Sequence, residues 1–315
     1  APPGRPFDDA MRLQRIKSGI ADIGWCVQGY WPEQTPLSDV MSLPFMPIKS
    51  AEQGSEILWK LYEKFPSIQK EYGEIQPLVL HTTSPNFLIT ANSKKLVKTM
   101  EDLKGLKLRI AGLGGAILQR LGVVPQQIAG GDIYAALERG TIDAAEFSGP
   151  FDDEKLGFQK VAQHYYYPGW WEGTANVGLY VNLDKWNGLP KHYQAALEAA
   201  CSEAMSHCIA KYDNGNPDAL MRLVGSGAQL HAFPDDVLAA AFAESRKVYE
   251  EFAASNEGFR KIYDNWSAYW QKQQQWLRVA ELPYDFVTSG QAAAASATQA
   301  PAAPAEAPAA EAPQN

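Results

Sequence analysis

Cysteine is scarce: 315 residues carry three, Cys26, Cys201 and Cys208, an odd number with none of the close CxxC spacings that build zinc sites. Cys201 and Cys208 read as residents of one helix. There they would stand about 10.5 Å apart, beyond the roughly 7 Å that a disulfide tolerates. Buried free thiols are expected, and they say nothing about compartment. No run of about eighteen apolar residues occurs, so no spanning helix is predicted. The chain opens at Ala1 without the zones of a signal peptide, which implies a processed or truncated chain. Positive charge is also thin: 28 Lys and Arg against 36 Asp and Glu leave a net charge of -8. With no basic cluster, nucleic acid and anionic membrane are disfavoured as partners. Catalytic signatures are missing as well. None of the five histidines sits in HExxH, no GxSxG or P-loop is present, and AGLGG lacks the GxGxxG spacing.

What is present is material for a substantial core, 46% hydrophobic residues, enough for one large or two smaller domains. SAEQGSEILWKLYEKFPSIQKEYG reads as one helix or two, IQPLVLHT as a strand, LKLRI as a strand, and AGLGGAILQRLG as a glycine-rich turn entering a helix. DIYAALERG is a short helix that Gly140 should end in the left-handed conformation. This order is α/β. The final stretch, QAAAASATQAPAAPAEAPAAEAPQN, offers nothing large to bury, so a disordered tail is predicted over 289–315. Ahead of it lie helices rich in aromatics. Tyr263, Trp266, Trp270 and Leu277 could line one stripe, serving either core packing or a dimer surface.

One stretch breaks its own pattern. In ERGTIDAAEFSGPFDD a turn glycine leads into an apolar segment, and Glu146 then stands where one more aliphatic residue is expected. The run RIKSGIADIGW at 15–25 has the same grammar as LERGTIDAAEF at 137–147: helix, glycine, and a strand opening at Asp. Each copy would end at the carboxyl edge of a strand, where open α/β sheets bind ligands. Two such edges on facing lobes would make a cleft. Arg109 closes LKLRI, and its planar fork can grip a carboxylate through two parallel hydrogen bonds; taken alone, an Arg after a strand is more often a surface charge. Glu146 could pair with Arg109 or cap a turn. In GWWEG, Trp171 and Glu172 could face a ligand or belong to a plain core. Asp152, Asp153 and Glu154 read as a solvated helix start.

Four segments, MEDLKGLKLRIAGLGGAILQRLG, GGDIYAALERGTIDAAEFSGPFDDEKLGF, KVAQHYYYPGWWEG and VNLDKWNGLPKHYQAALEAAC, resemble the DctP-type solute-binding proteins of tripartite ATP-independent periplasmic (TRAP) transporters, and within them the branch that binds 2-oxo acids. The resemblance implies an α/β, two-lobed, type II-like periplasmic binding-protein fold with crossing hinge strands and long C-terminal helices. Lobe I would take 1–86 and 175–212, and lobe II 87–174 and 213–288. Lobe I would lack the first strand, helix and second strand usual in the family. It further implies a periplasmic protein without catalysis or catalytic cofactor, delivering a small organic acid to TRAP membrane subunits; a homodimer through the C-terminal helices is an option left open by their aromatic stripe alone. Arg109 would hold the solute carboxylate, with Trp171, Tyr30, Trp31, Phe147 and Asn86 around it. Glu146, the Phe147 carbonyl and Glu172 would hold a bridging sodium or calcium ion, hard oxygen donors suiting hard cations. Two departures stand against that ion: Phe147 replaces the usual Trp, and HTTSPNFLITANSK places Leu88 where the branch has a glutamine ligand. A sensor module binding the same acid, or a lyase or dehydratase on a binding-protein fold, are the alternatives.

Overall fold

The alternation of helix and strand signals resolves into nine strands among the described residues: β1 (Ile23–Val27), β2 (Ile75–Thr82), β3 (Ala91–Ser93), β4 (Lys107–Arg109), β5 (Val124–Gln126), β6 (Ala144–Glu146), β7 (His164–Tyr167), β8 (Asn176–Asn182) and β9 (Gln229–Ala232). The helices are α1 (Asp9–Lys17), α2 (Ala51–Lys64), α3 (Pro66–Tyr72), α4 (Gly112–Arg120), α5 (Ile133–Arg139), α6 (Pro150–Leu156), α7 (Leu183–Gly188), α8 (Lys191–Gly225), α9 (Asp235–Ser255), α10 (Glu257–Ala280) and α11 (Leu282–Thr298). The structure, a computed structural model, describes residues 9–30, 35–45, 50–82, 91–110, 112–172 and 174–298. Contacts divide it into two units, Ala1–Asn265 and Trp266–Asn315, the boundary falling within α10.

Local chemistry explains the breaks. Ser50 caps α2 by accepting a hydrogen bond from Gln53 N at 3.2 Å. Pro66 stops α2 and opens α3, where its missing N–H costs nothing. Gly140 ends α5 with φ 74°, as the ERG signal predicts, a conformation that other residues enter only with strain.

Within the first unit the strands form two open sheets. One has the order β1-β8-β2 with both pairings antiparallel. The other has the order β5-β4-β6-β3-β7-β9; β4 runs parallel to β5 and β6, and β7 parallel to β9, while β3 is antiparallel to both its neighbours. The mixed α/β class is as predicted. The internal echo also has a structural counterpart, since α1, Gly19 at φ 73° and β1 repeat the sequence of α5, Gly140 and β6. The copies differ in setting: β6 is buried throughout, whereas β1 lies at a sheet edge with Trp25 half exposed.

The core of the second sheet joins Leu108, Ile117, Ala144, Tyr166 and Trp171 with Val237 and Val248 of α9. The long helix α8 serves both sheets. Its Cys201 packs with Leu78 and Val181 of the first sheet, and its Leu223 packs with Tyr165 of the second. Pro217 lies between these two anchorages. Cys201 and Cys208 do share this helix, all three cysteines are free thiols, and burial pushes the thiols of Cys201 and Cys208 up.

Two expectations are corrected. The chain is helical through Thr298, into the stretch expected to be disordered, because the alanines of QAAAASAT, the strongest helix formers, continue the helix begun at Leu282; residues 299–315 lie outside the described residues. The acids of α6 are not a solvated start. Asp153 is completely buried and accepts from the Tyr165 hydroxyl at 2.7 Å, Asp152 accepts from Tyr212 at 2.8 Å, and Glu154 pairs twice with Arg222 at 2.7 Å.

In the second unit, Trp266 is buried and stacks on Tyr269 at 5.7 Å, while Trp270 and Leu277 are half-buried. The apolar residues in the open are others: Trp276, Val279, Leu282, Tyr284, Phe286 and Val287. No helix among the described residues is long and apolar enough to cross a membrane.

Candidate functional site

Parallel pairing of β4 with β6 brings two charged residues together at the carboxyl ends of neighbouring strands. Leu108 stands opposite Ala144 and Arg109 opposite Ala145, so Glu146 follows one position on. Arg109 is 2% exposed and Glu146 3% exposed. Arg109 Nη1 donates to Glu146 Oε1 at 2.6 Å and to the Glu146 carbonyl at 2.8 Å, and Arg109 Nε donates to the Ile128 carbonyl at 3.0 Å. The guanidinium carbon also lies 5.5 Å from the centre of the Phe147 ring. Of the readings open for Glu146, pairing with Arg109 is the one this structure displays. Two opposite charges cancel here in a place nearly closed to water, where either alone would be expensive.

The GWWEG segment reaches the same region from the end of β7. Gly114 of α4 makes its approach feasible: a Cβ there would fall 2.7 Å from Trp171 Cβ and 2.9 Å from the Trp171 carbonyl. Trp171 is 2% exposed, with Trp170 and Phe233 each 5.7 Å away in edge-on contact. Trp170 stacks on Phe45 at 5.2 Å, and Phe45 N donates to the Trp170 carbonyl at 2.9 Å. Both tryptophans are therefore core residues, the second of the readings open for Trp171. Their indole N–H groups have no hydrogen-bond partner among the described residues. Beneath them lies an apolar cavity of about 20 Å³ lined by Leu108, Leu118, Ala144, Tyr166, Trp171 and Val237, among others. Glu172 turns away from this core: its Oε1 lies 3.5 Å from where a Cβ on Gly29 would be, in the turn Gln28–Tyr30 that follows β1.

Trp31 and Asn86 lie outside the described residues, as does Leu88, and of Tyr30 only the backbone is described. Among the described residues no group of three or more His, Cys, Asp or Glu side chains gathers as a metal site. The oxygens that gather at Arg109 are hard donors, the Glu146 carboxylate and the Glu146 and Ile128 carbonyls. They fit an alkali or alkaline-earth ion and not a thiophilic metal.

Sequence reasoning missed the clasp behind the site. After β6, Ser148 donates to Asp152 at 3.0 Å, Phe151 N donates to Asn216 of α8 at 3.1 Å, and Tyr212 of α8 donates to Asp152. The partners are up to 65 positions apart. Only the local acid run was visible, and it carried no sign of what it meets.

The sequence pattern of bacterial extracellular solute-binding protein family 7, DctP, matches residues 1–256. A monocarboxylate 2-oxoacid-binding periplasmic protein from Nostoc sp. is 40% identical over 283 residues, covering 89% of this chain and 76% of the relative. A TRAP transporter solute-binding protein from Bordetella bronchiseptica, crystallised as a mixed-occupancy dimer with copurified calcium and picolinate, superposes with a TM-score of 0.80 at 36% identity, over 91% of this chain and 84% of the other. A TRAP periplasmic solute-binding protein from Colwellia psychrerythraea, with bound calcium and pyruvate, gives a TM-score of 0.74 at 29% identity, over 86% and 83% of the two chains.

Proposed function

The chain belongs to the DctP-type bacterial extracellular solute-binding proteins, family 7, and from that premise we propose that it captures a small 2-oxo monocarboxylate of the pyruvate class through an Arg109 clamp and a bridging cation. As a member of this family it is the binding component of a TRAP transporter, working with membrane subunits, and not an enzyme.

The observation that carries the finer reading is the buried Arg109–Glu146 pair. Without solute its charges sum to zero. A solute carboxylate on the guanidinium would bring a second negative charge beside Glu146 in a nearly dry site, a cost of roughly several kcal/mol. A sodium or calcium ion held by Glu146, the Phe147 carbonyl and Glu172 would offset that repulsion, the divalent ion more fully because Glu172 brings a further negative charge, and give the solute's 2-oxo oxygen a ligand position. The similarity to proteins holding calcium with picolinate or pyruvate supports an ion beside the solute. Two lobes, each built on one of the two sheets, would close over the solute, with Arg109, Glu146, Phe147 and Trp171 on one side and the Gly29 turn on the other.

Calorimetry with pyruvate in calcium, in sodium, and in chelated sodium-free buffer tests this. Binding should weaken when both ions are removed, and Glu146→Gln should weaken it while abolishing the ion dependence. Equal affinity in all three buffers would remove the cation from the account. The exposed Trp276, Val279, Leu282, Phe286 and Val287 further suggest a homodimer through the C-terminal helices.

A further inference from the structure

His164 of β7 and His231 of β9 face each other, with Nδ1 of the first 3.1 Å from Nε2 of the second. Their ring centroids are 5.1 Å apart, so the two nitrogens point at one another. This is the arrangement of a shared proton, one nitrogen donating and the other accepting. A bound metal would need lone pairs converging on a third point. From His231 a series of ring contacts leads inward. His231 lies on Tyr166 at 5.2 Å, Tyr166 on Phe233 at 5.0 Å, and Phe233 against Trp171 at 5.7 Å. Tyr166 is fixed in turn by its hydroxyl, which accepts from Val97 N at 2.5 Å. The charged or titratable groups bearing on His231 are His164 on β7 and Lys98 from the segment before the turn Met100–Leu103; Asp102 of that turn bears on Tyr166.

We propose that the His164–His231 pair is an acid-sensitive latch: with at most one proton between the facing nitrogens it holds β9, Phe233 and Trp171 in place for solute binding, and with both imidazoles charged it releases them. A first proton can be carried between the nitrogens. A second leaves two N–H donors facing each other beside Lys98, so a hydrogen bond is replaced by repulsion. Burial, then the charges of His164 and Lys98, hold the His231 imidazole below its usual range, which places release on the acid side of about pH 6.5. This inference rests on the reading that Trp171 and Glu172 border the solute site.

The test is calorimetry of pyruvate with calcium on the whole chain, at about pH 7.5 and about pH 5, for wild type, His231→Gln and His164→Gln. The carboxylate of pyruvate stays ionised throughout, and glutamine offers a neutral partner at every pH. Wild type should lose at least about fivefold in affinity on acidification; each variant should bind like wild type at the higher pH and lose less than about twofold. No loss in wild type, or an equal loss in all three proteins, overturns the latch. If pyruvate binds none of them at about pH 7.5, the solute reading fails separately, and melting decides the latch. A drop in wild-type midpoint on acidification that the glutamine variants lack supports it, and the same drop in all three overturns it. Should neither variant fold, imidazole resonances of the wild type read the pair directly, and two independent, unshifted titrations would refute the shared proton.

Discussion

At Arg109 one guanidinium serves the fold and the proposed solute together, so its loss has two separable effects. Each charge-assisted hydrogen bond to a carboxylate contributes on the order of 1.5 to 3 kcal/mol, so Arg109→Ala should weaken pyruvate binding by at least about a hundredfold. Arg109→Lys should recover only part, because a point charge lacks the fork. Affinity within about threefold of wild type for a folded alanine variant would sink the clamp. Independently of solute, removing Arg109 alone takes the guanidinium partner from the buried Glu146, costing about 3 to 5 kcal/mol. The double change Arg109→Met with Glu146→Leu should restore most of that stability and none of the binding. Denaturant melts of the three variants check this; a double variant no more stable than the singles would show that the pair is not what holds the strand ends. These two residues were legible in sequence because each is a charge where a strand should end. Their direct contact was legible only as one of the readings open for Glu146, since the choice depends on the parallel register of β4 and β6, and no local pattern encodes which strands become neighbours.

Helix α6 shows the same limit from the other side. A run of three acids after Gly-Pro reads as a helix start in water, and nothing within the run foretells that Tyr165 will cover Asp153. Asp153→Ala should remove the buried hydrogen bond that the Tyr165 hydroxyl donates and cost about 1 kcal/mol, read as a lower denaturation midpoint. A change under about 0.5 kcal/mol would mean the hydroxyl finds another partner. Glycine positions were read more successfully where the reason was conformational, as at Gly140, than where it was spatial. Gly114 looked like part of a loose AGLGG turn, yet it lies within α4 and admits the Trp171 backbone. Gly114→Ala should therefore impair solute binding more than its small size suggests, and unchanged affinity would show that α4 yields without moving Trp171. Residues 289–298 depart from the expected disorder for a plainer reason: a run of alanines adjoining an existing helix extends it.

For the whole chain, acidity should act in two steps. A group held below its usual range stabilises the fold above its unfolded value, and that contribution fades as pH falls. His231 should supply the first loss, below about pH 6.5. Asp143 should supply a second, below about pH 4: burial opposes its ionisation, but the Lys107 N–H and Lys95 prevail and hold its carboxyl down. Glu71 acts in the opposite sense. Burial pushes its carboxyl up despite hydrogen bonds from Leu37 and Ser38, so its charge costs stability at neutral pH and its protonation offsets part of the acid loss. Melting across this range should show both steps, with Asp143→Asn removing the lower; a midpoint independent of pH would contradict the assignment. On the association side, Phe286→Asp with Val279→Asp should turn a dimer into a monomer in sedimentation, and a wild type that is already monomeric at every concentration would refute the C-terminal interface.

The shared helix α8 bears on a different property, the size of the cooperative unit. Because Cys201 is packed into one sheet and Leu223 into the other, neither sheet can lose its cover while the other keeps its own intact. Heat should therefore find residues 9–265 without a half-melted resting place: a single calorimetric peak, with the van't Hoff and calorimetric enthalpies in agreement, is the expected record, and two resolved peaks within that span would mean that Pro217 uncouples the ends of the helix.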